Sequence, residues 1–185
     1  MTVRIRPLEL PLDEEHAVML KRWMPKTPGV EPLAIFRLFL RHPKLSESLH
    51  HLGAFQLGNE ASLVLRDREL VINRTCARGH CEYEWGVHSA LRGSHAGLGL
   101  ATIAATVKSS ANDPVWSARE RCLIALVDSL HDTGTISDDL WKQLLEYWTE
   151  DQMLELAVLT GFYHVISFVA NMAGLLPETW ALRFP

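Results

Sequence analysis

The sequence predicts an all-α protein, and three observations carry that reading. Apolar residues recur at spacings of three and four along most of the chain. Few segments alternate with period two, and β-branched residues are scattered rather than clustered. Glycine, proline and capping residues fall between the periodic stretches, where helices stop and start. With 185 residues, 48% apolar and 22% charged, the chain suffices for one domain, 1–185, whose core needs no disulfide or metal. No repeat, low-complexity tract or interdomain linker interrupts it.

The elements follow in order. Leu12 to Trp23 reads as a first helix, ended by Pro25 and the Pro28-Gly29 turn. Pro32 to Arg41 is a second, with His42-Pro43 as its stop, and Leu45 to Leu57 a third, broken by Gly58-Asn59. Ser62 to Arg78 is a fourth, with Gly79 placed as its C-terminal cap. Cys81 to His95 is a fifth; a loose Gly97-Leu98-Gly99 stretch then leads to a short helix from Ala101 to Ser109. Asp113-Pro114 opens a helix from Val115 to His131, closed by the loop Asp132-Thr133-Gly134. Ser137 caps a helix through Tyr147, with Asp138 and Asp139 in its first turn. Thr149 with Gln152 forms a capping-box pattern that starts a long last helix to Ala173.

Composition excludes several function classes. A net charge of −4 lacks the basic footprint of a general nucleic-acid binder. Three cysteines, an odd number, and the absence of an apolar leader in MTVRIRPLELPLDEE lead to the expectation of reduced thiols in the cytoplasm. From Leu156 to Pro177 there is no charged side chain, which is about the ~20-residue length that spans a bilayer. Thr160, Gly161, His164, Ser167, Asn171 and Gly174 stud that stretch, so a helix inside a bundle or at a subunit interface is expected, with no membrane partner. A face this apolar predicts a soluble homo-oligomer.

The chemistry concentrates between Glu69 and His88. Cys81, Glu84 and His88 lie at i, i+3 and i+7, on one helical face, and His80, Glu84 and His88 form an overlapping ladder. A thiol in the first turn of a helix meets unpaired N–H groups that favour a thiolate. With a histidine two turns on and Glu69 on the preceding helix, these are the parts of an activated thiol or a proton relay. Each also has a plainer role: Glu69 as a partner of Arg66 or Arg74, Cys81 as a small buried hydrophobe, Glu84 as a partner of His88 or Arg92, His80 as a surface residue. Tyr83 and Trp85 read as packing groups or, for Tyr83, as a substrate contact. His164, Ser167 and Asn171 put a polar stripe on the last helix, which is either a buried hydrogen-bond network or, through His164, part of a substrate cavity. No tight zinc pair occurs near His80, Glu84 and His88, and Gly93, Gly97 and Gly99 lack a phosphate-loop spacing, so neither a metal nor a nucleotide or flavin cofactor is expected.

The segment resembles the carboxymuconolactone decarboxylase and alkylhydroperoxidase D-like (AhpD-like) superfamily. Its redox members carry Glu, eleven residues, then Cys-x-x-Cys-x-x-x-His. Here the order is Glu69, eleven residues, Cys81-x-x-Glu84-x-x-x-His88, with Glu84 in place of the second cysteine. Glu82-Tyr83-Glu84-Trp85 with His88, and Gly161-Phe162-Tyr163-His164 with Ile166-Ser167 and Asn171, are similar to a decarboxylase-like branch. The resemblance, over about Leu33 to Leu176, implies an oligomeric helical bundle forming homodimers, homotrimers or hexamers, with a site on that helix pair. It implies a small-molecule enzyme in which Glu69, Cys81, Glu84 and His88 are catalytic, moving protons on an organic acid or lactone. The alternative is a thiol peroxidase with Cys81 as the oxidisable thiol, and a further one is a non-catalytic helical oligomer. A redox cycle needs a resolving thiol within disulfide reach. Cys76, across the Gly79 break, is the candidate, whereas Cys122 sits in an apolar run.

Overall fold

The computed structural model describes residues 2–24 and 31–185. The described residues form helices and no strand: α1 Glu14–Trp23, α2 Ala34–Phe39, α3 Pro43–Leu57, α4 Leu65–Arg78, α5 Glu82–Arg92, α6 Leu100–Lys108, α7 Ala118–Thr133, α8 Asp138–Leu144 and α9 Glu150–Ala173. The expected all-α class holds. The stop assigned to Pro25 and Pro28-Gly29 lies outside the described residues.

Capping chemistry sets most boundaries. Thr149 and Gln152 close the expected capping box of α9, which ends at Ala173 with Gly174 left-handed at φ 70°. Ser137 caps α8 as expected. Three starts shift. Pro43, read as a stop, is a first-turn residue of α3, where its missing N–H costs nothing. α7 begins after Ser117, which forms a full capping box with Glu120, so Asp113-Pro114 belongs to the preceding turn. Cys81 is the N-cap of α5 rather than its first helical residue, and α5 stops at Arg92. The turn before it takes its left-handed residue from His80 (φ 51°) and not from Gly79 (φ −77°). Gly79 is needed for space: a Cβ there would sit 3.1 Å from the Ser167 side chain.

α4 is the centre of the molecule. It packs against α5, α6, α7 and α9, and Asp67 to Cys76 are all buried. Five of those ten are charged or carry an amide, an arrangement stable only if each polar group finds a partner. Asp67 accepts from Arg119 and from the Trp148 indole, and Arg68 donates to the carbonyls of Gln56 and Gly58. Arg74 forms a two-pronged pair with Asp128 and donates to the Thr106 and Ser109 carbonyls. Asn73 donates to the Glu69 carbonyl and accepts from Ser89 of α5. These bonds fix the rotation of α4, and with it the side to which Glu69 points.

Candidate active site

α4 and α5 form a helical hairpin closed by Gly79-His80, with the Cys81 N–H donating to the Cys76 carbonyl at 2.8 Å. The hairpin sets Glu69 opposite His88. The Glu69 carboxylate lies 2.8 Å from His88 Nδ1, both side chains almost wholly buried. Arg66 and Arg74, the plainer partners considered for Glu69, pair instead with Glu120 and Asp128. The other ring nitrogen, Nε2, is 3.0 Å from the Tyr163 hydroxyl of α9 and 3.5 Å from Glu84 Oε1 one turn earlier on α5. One oxygen each of Glu69 and Glu84 is buried without a hydrogen-bond partner.

Burial works against a charged imidazole at His88, but the Glu69 carboxylate and then Glu84 outweigh it and hold its pKa up at about 9. His88 is therefore an imidazolium at neutral pH, with Nδ1–H donating to Glu69. Burial, reinforced by the negative Glu84 and Glu69, pushes the Tyr163 phenol well above its ordinary value, so it stays a neutral hydroxyl beside Nε2.

Glu84, His88 and Tyr163 line a cavity of about 700 Å³. Its walls include Trp23, whose ring stacks on Phe36 and on Phe39, together with those two rings and Phe162 and Ile166 of α9. Val87, Leu91 and Arg92 continue the α5 wall outward. Glu84, His88 and Arg92 thus form one stripe at spacings of four, roughly 6 Å per step along the helix. Among the described residues Arg92 has no ion-pair partner. The same residues contain no group of three or more metal-ligating side chains.

The remaining sequence candidates lie elsewhere. Cys81 is fully buried and does not line the cavity. Its position at a helix start suggested a stabilised thiolate, but burial dominates and, with Glu84 adding to it, pushes the thiol up to about 12. Cys76, also free and buried, is raised well above its ordinary value, first by burial and then by the neighbouring Cys81, and Ser167 stands beside both thiols. Cys122 is a core residue of α7. Tyr83, expected at the substrate, points away from the cavity: its hydroxyl donates to Glu178 at 2.6 Å and accepts from the Ile35 N–H. His164 likewise misses the cavity. Its ring bonds the Thr160 carbonyl and lies 2.8 Å from His131 of α7. Asn171 of the same stripe donates to the Gly79 carbonyl and holds the α4–α5 turn. The residue that the sequence reading did not single out is Tyr163. It stands next to His164 in the motif, but one residue turns a helix by about 100°, which decides which of the two faces His88.

At the level of sequence, no protein-family model and no curated protein matches the chain. Solved structures do. A peroxidase-related protein from Silicibacter sp. TM1040 is 16% identical at TM-score 0.79, covering 95% of this chain and 93% of that one. The candidate antioxidant-defence protein AhpD of Agrobacterium tumefaciens is 17% identical at TM-score 0.69, covering 76% and 95%. The debrominase Bmp8, in complex with 2,3,4-tribromopyrrole, is 10% identical at TM-score 0.78, covering 97% and 94%. Those names describe the neighbours and span different chemistries on one scaffold. Together with the all-helical architecture and the α4–α5 hairpin, they show that this chain has the AhpD-like helical fold.

Proposed function

We propose that the protein is a small-molecule enzyme that works by proton transfer on an organic acid or lactone, with His88 as the proton donor and acceptor. The observation that carries this reading is the Glu69–His88 pair with Tyr163 and Glu84 on its open nitrogen, at the wall of an apolar cavity. In a decarboxylase-type step the bond to a carboxyl carbon breaks, carbon dioxide leaves, and the electron pair stays on a carbon conjugated to the lactone or acid carbonyl. His88 Nε2–H delivers the proton to that carbon, and Glu69 holds the imidazolium beforehand and the ring orientation afterwards. Tyr163 and Glu84 compete for the same nitrogen and return the proton from solvent. Arg92, unpaired on the same wall, binds an anionic end of the substrate about one helical turn from the proton donor. Cys81, closed off from the cavity, shapes the wall behind Glu84. The working form is a soluble enzyme of the cytoplasm.

The test is turnover of a panel of unsaturated carboxylic acids and their lactones in deuterated water, following deuterium entry at carbon and release of carbon dioxide. His88→Asn and Glu69→Gln are expected to lower the rate by at least about 100-fold, the ordinary size of a lost acid–base group. Cys81→Ser is expected to keep most of it. Activity that vanishes with Cys81→Ser and survives Glu69→Gln overturns the proposal. The thiol-peroxidase reading is favoured by the Cys76–Cys81 juxtaposition. It predicts peroxide consumption with an added thiol and a sulfenic acid or a Cys76–Cys81 disulfide by mass spectrometry.

A further inference from the structure

The start of α2 supplies one wall of the cavity, which Leu33, Ile35, Phe36 and Phe39 all line. The helix is six residues long, too short to hold its shape alone. Its N-cap residue, Leu33, has no side chain that can bond the free N–H groups of the first turn. Two distant segments take those groups instead. Glu178 Oε1 accepts from the Ala34 N–H at 2.8 Å, and the Tyr83 hydroxyl accepts from the Ile35 N–H at 3.1 Å. The same hydroxyl donates to the same Glu178 oxygen at 2.6 Å, closing a ring of hydrogen bonds across α2, α5 and the C-terminal segment. A carboxylate at a helix start also meets the positive end of the helix dipole.

Both partners of α2 are anchored to α5. Tyr83 is a buried residue of that helix, next to Glu84. Beyond Glu178, the Leu182 N–H donates to the Gly86 carbonyl at 3.3 Å and the Phe184 N–H to the Glu82 carboxylate at 2.9 Å. The Phe184 ring meets Trp85 edge-on at 5.2 Å. The ring of bonds therefore fixes α2 relative to the helix that carries Glu84 and His88. Neither Tyr83 nor Glu178 lines the cavity. Ile35 does, so a residue whose N–H enters the ring is itself part of the wall. Next along α2, Phe36 and Phe39 stack on Trp23 at 5.0 and 5.9 Å.

We propose that Glu178 and Tyr83 are positioning residues of this cavity, which set the α2 wall against the His88 wall and thereby the affinity for flat, unsaturated acids. The ligand class follows from what the walls offer: aromatic rings for a flat apolar body, and Arg92 for an anionic end. A wall set beforehand spares the ligand the cost of ordering it. This role rests on the cavity being the substrate site, as in the proposed function, and not on the chemistry at His88. Binding without turnover therefore sinks that chemistry and leaves the positioning role intact.

The probes are benzoate, cinnamate and 2-naphthoate, titrated into the full chain by calorimetry, with amide exchange at Ala34 and Ile35 followed by NMR. Glu178→Ala is expected to speed exchange at both amides and to weaken the best probe about 10-fold, the scale of one charge-assisted hydrogen bond. In turnover, KM is expected to rise by the same factor with kcat changed less than about 2-fold, because the Glu69–His88 pair is untouched. Glu178→Gln is expected to restore both, since a single oxygen accepts both bonds and the amide keeps it. Tyr83→Phe is expected to match Glu178→Ala, and the double variant to be little worse than either alone. Arg183→Ala, which removes a surface ion pair with Glu82 from the same segment, is expected to change nothing. Where Glu178→Ala fails to fold, Tyr83→Phe, which removes a single oxygen, carries the test. Variants that lower the thermal midpoint but leave exchange and affinity unchanged overturn the proposal. So does Glu178→Gln as damaging as Glu178→Ala, additivity of Glu178→Ala with Tyr83→Phe, or a wild-type chain that binds none of the three probes.

Discussion

His88 shows how one residue draws its properties from three helices. Its ordinary pKa is 6.5 and burial would lower it, yet Glu69 and Glu84 hold it up at about 9. A group whose pKa is raised on folding stabilises the fold fully below its unfolded value and loses that contribution as pH rises through the folded one. Stability is therefore expected to fall by roughly 3 kcal/mol between about pH 6.5 and 9 through this residue, and urea unfolding at a series of pH values measures it. With Glu69→Gln the imidazole keeps the burial and loses its main counter-charge. NMR titration is then expected to find His88 neutral at pH 7, and the downward slope of stability to disappear. Cys81 offers the opposite case, since its thiol is pushed up to about 12 by burial. Iodoacetamide at neutral pH is expected to label it at least about 100-fold more slowly than an unperturbed thiol of pKa about 8.5, a rate read by mass spectrometry of the native protein. The helix-start position read from the sequence was correct. The exposure that a reactive thiolate also needs is absent, and local spacing does not encode it.

At the scale of elements, caps were the most legible feature. Thr149 with Gln152 and Ser137 could be read directly, because an N-cap is a contact between residues three apart. The Ser117–Glu120 box obeys the same rule but was hidden behind Asp113-Pro114, which reads equally well as a helix start. The rotational phase of each helix was much less legible. Tyr83 and His164 were assigned to the substrate, and both turn toward other partners, Tyr83 because the C-terminal segment docks on α5 and presents Glu178 to it. That docking depends on Gly86, whose position lies so close to the Leu182 carbonyl that a Cβ would stand 2.2 Å from it. Backbone cannot yield as a flexible side chain can. Gly86→Ala is expected to cost about 1–3 kcal/mol by denaturant unfolding, through displacement of residues 181–185 from α5.

The whole molecule is organised around a polar central helix, the reverse of the usual arrangement. α4 has a hydrophilic sequence, LRDRELVINRTCAR, and reads alone as a surface helix, yet its middle ten residues are buried. Its charges hold neighbouring helices instead of meeting water, and Arg74 joins α4 to both α6 and α7. Arg74→Met would leave Asp128 short of its main partner and two backbone carbonyls without a donor. Removing one side of a buried pair costs about 3–5 kcal/mol. Urea unfolding is expected to show a loss of that order, and Asp128→Asn a smaller one, because Asp128 is partly exposed.

The sequence by itself determined the all-α class, the order of the helices, the caps of the last two and the Glu69–Cys81–Glu84–His88 spacing. All of these depend on residues close together in the chain, where a 3.6-residue period or a cap leaves a direct trace. Only the tertiary structure decided which candidates face one another. Tyr163 reaches His88 across 75 positions of chain, Glu69 takes His88 over the arginines on its own helix, and burial closes off Cys81 while leaving Glu84 on the cavity. The physical reason is rotation. A helix turns about 100° per residue, so the side that each residue presents is fixed by the packing of its helix against all the others, here by the buried polar pairs of α4.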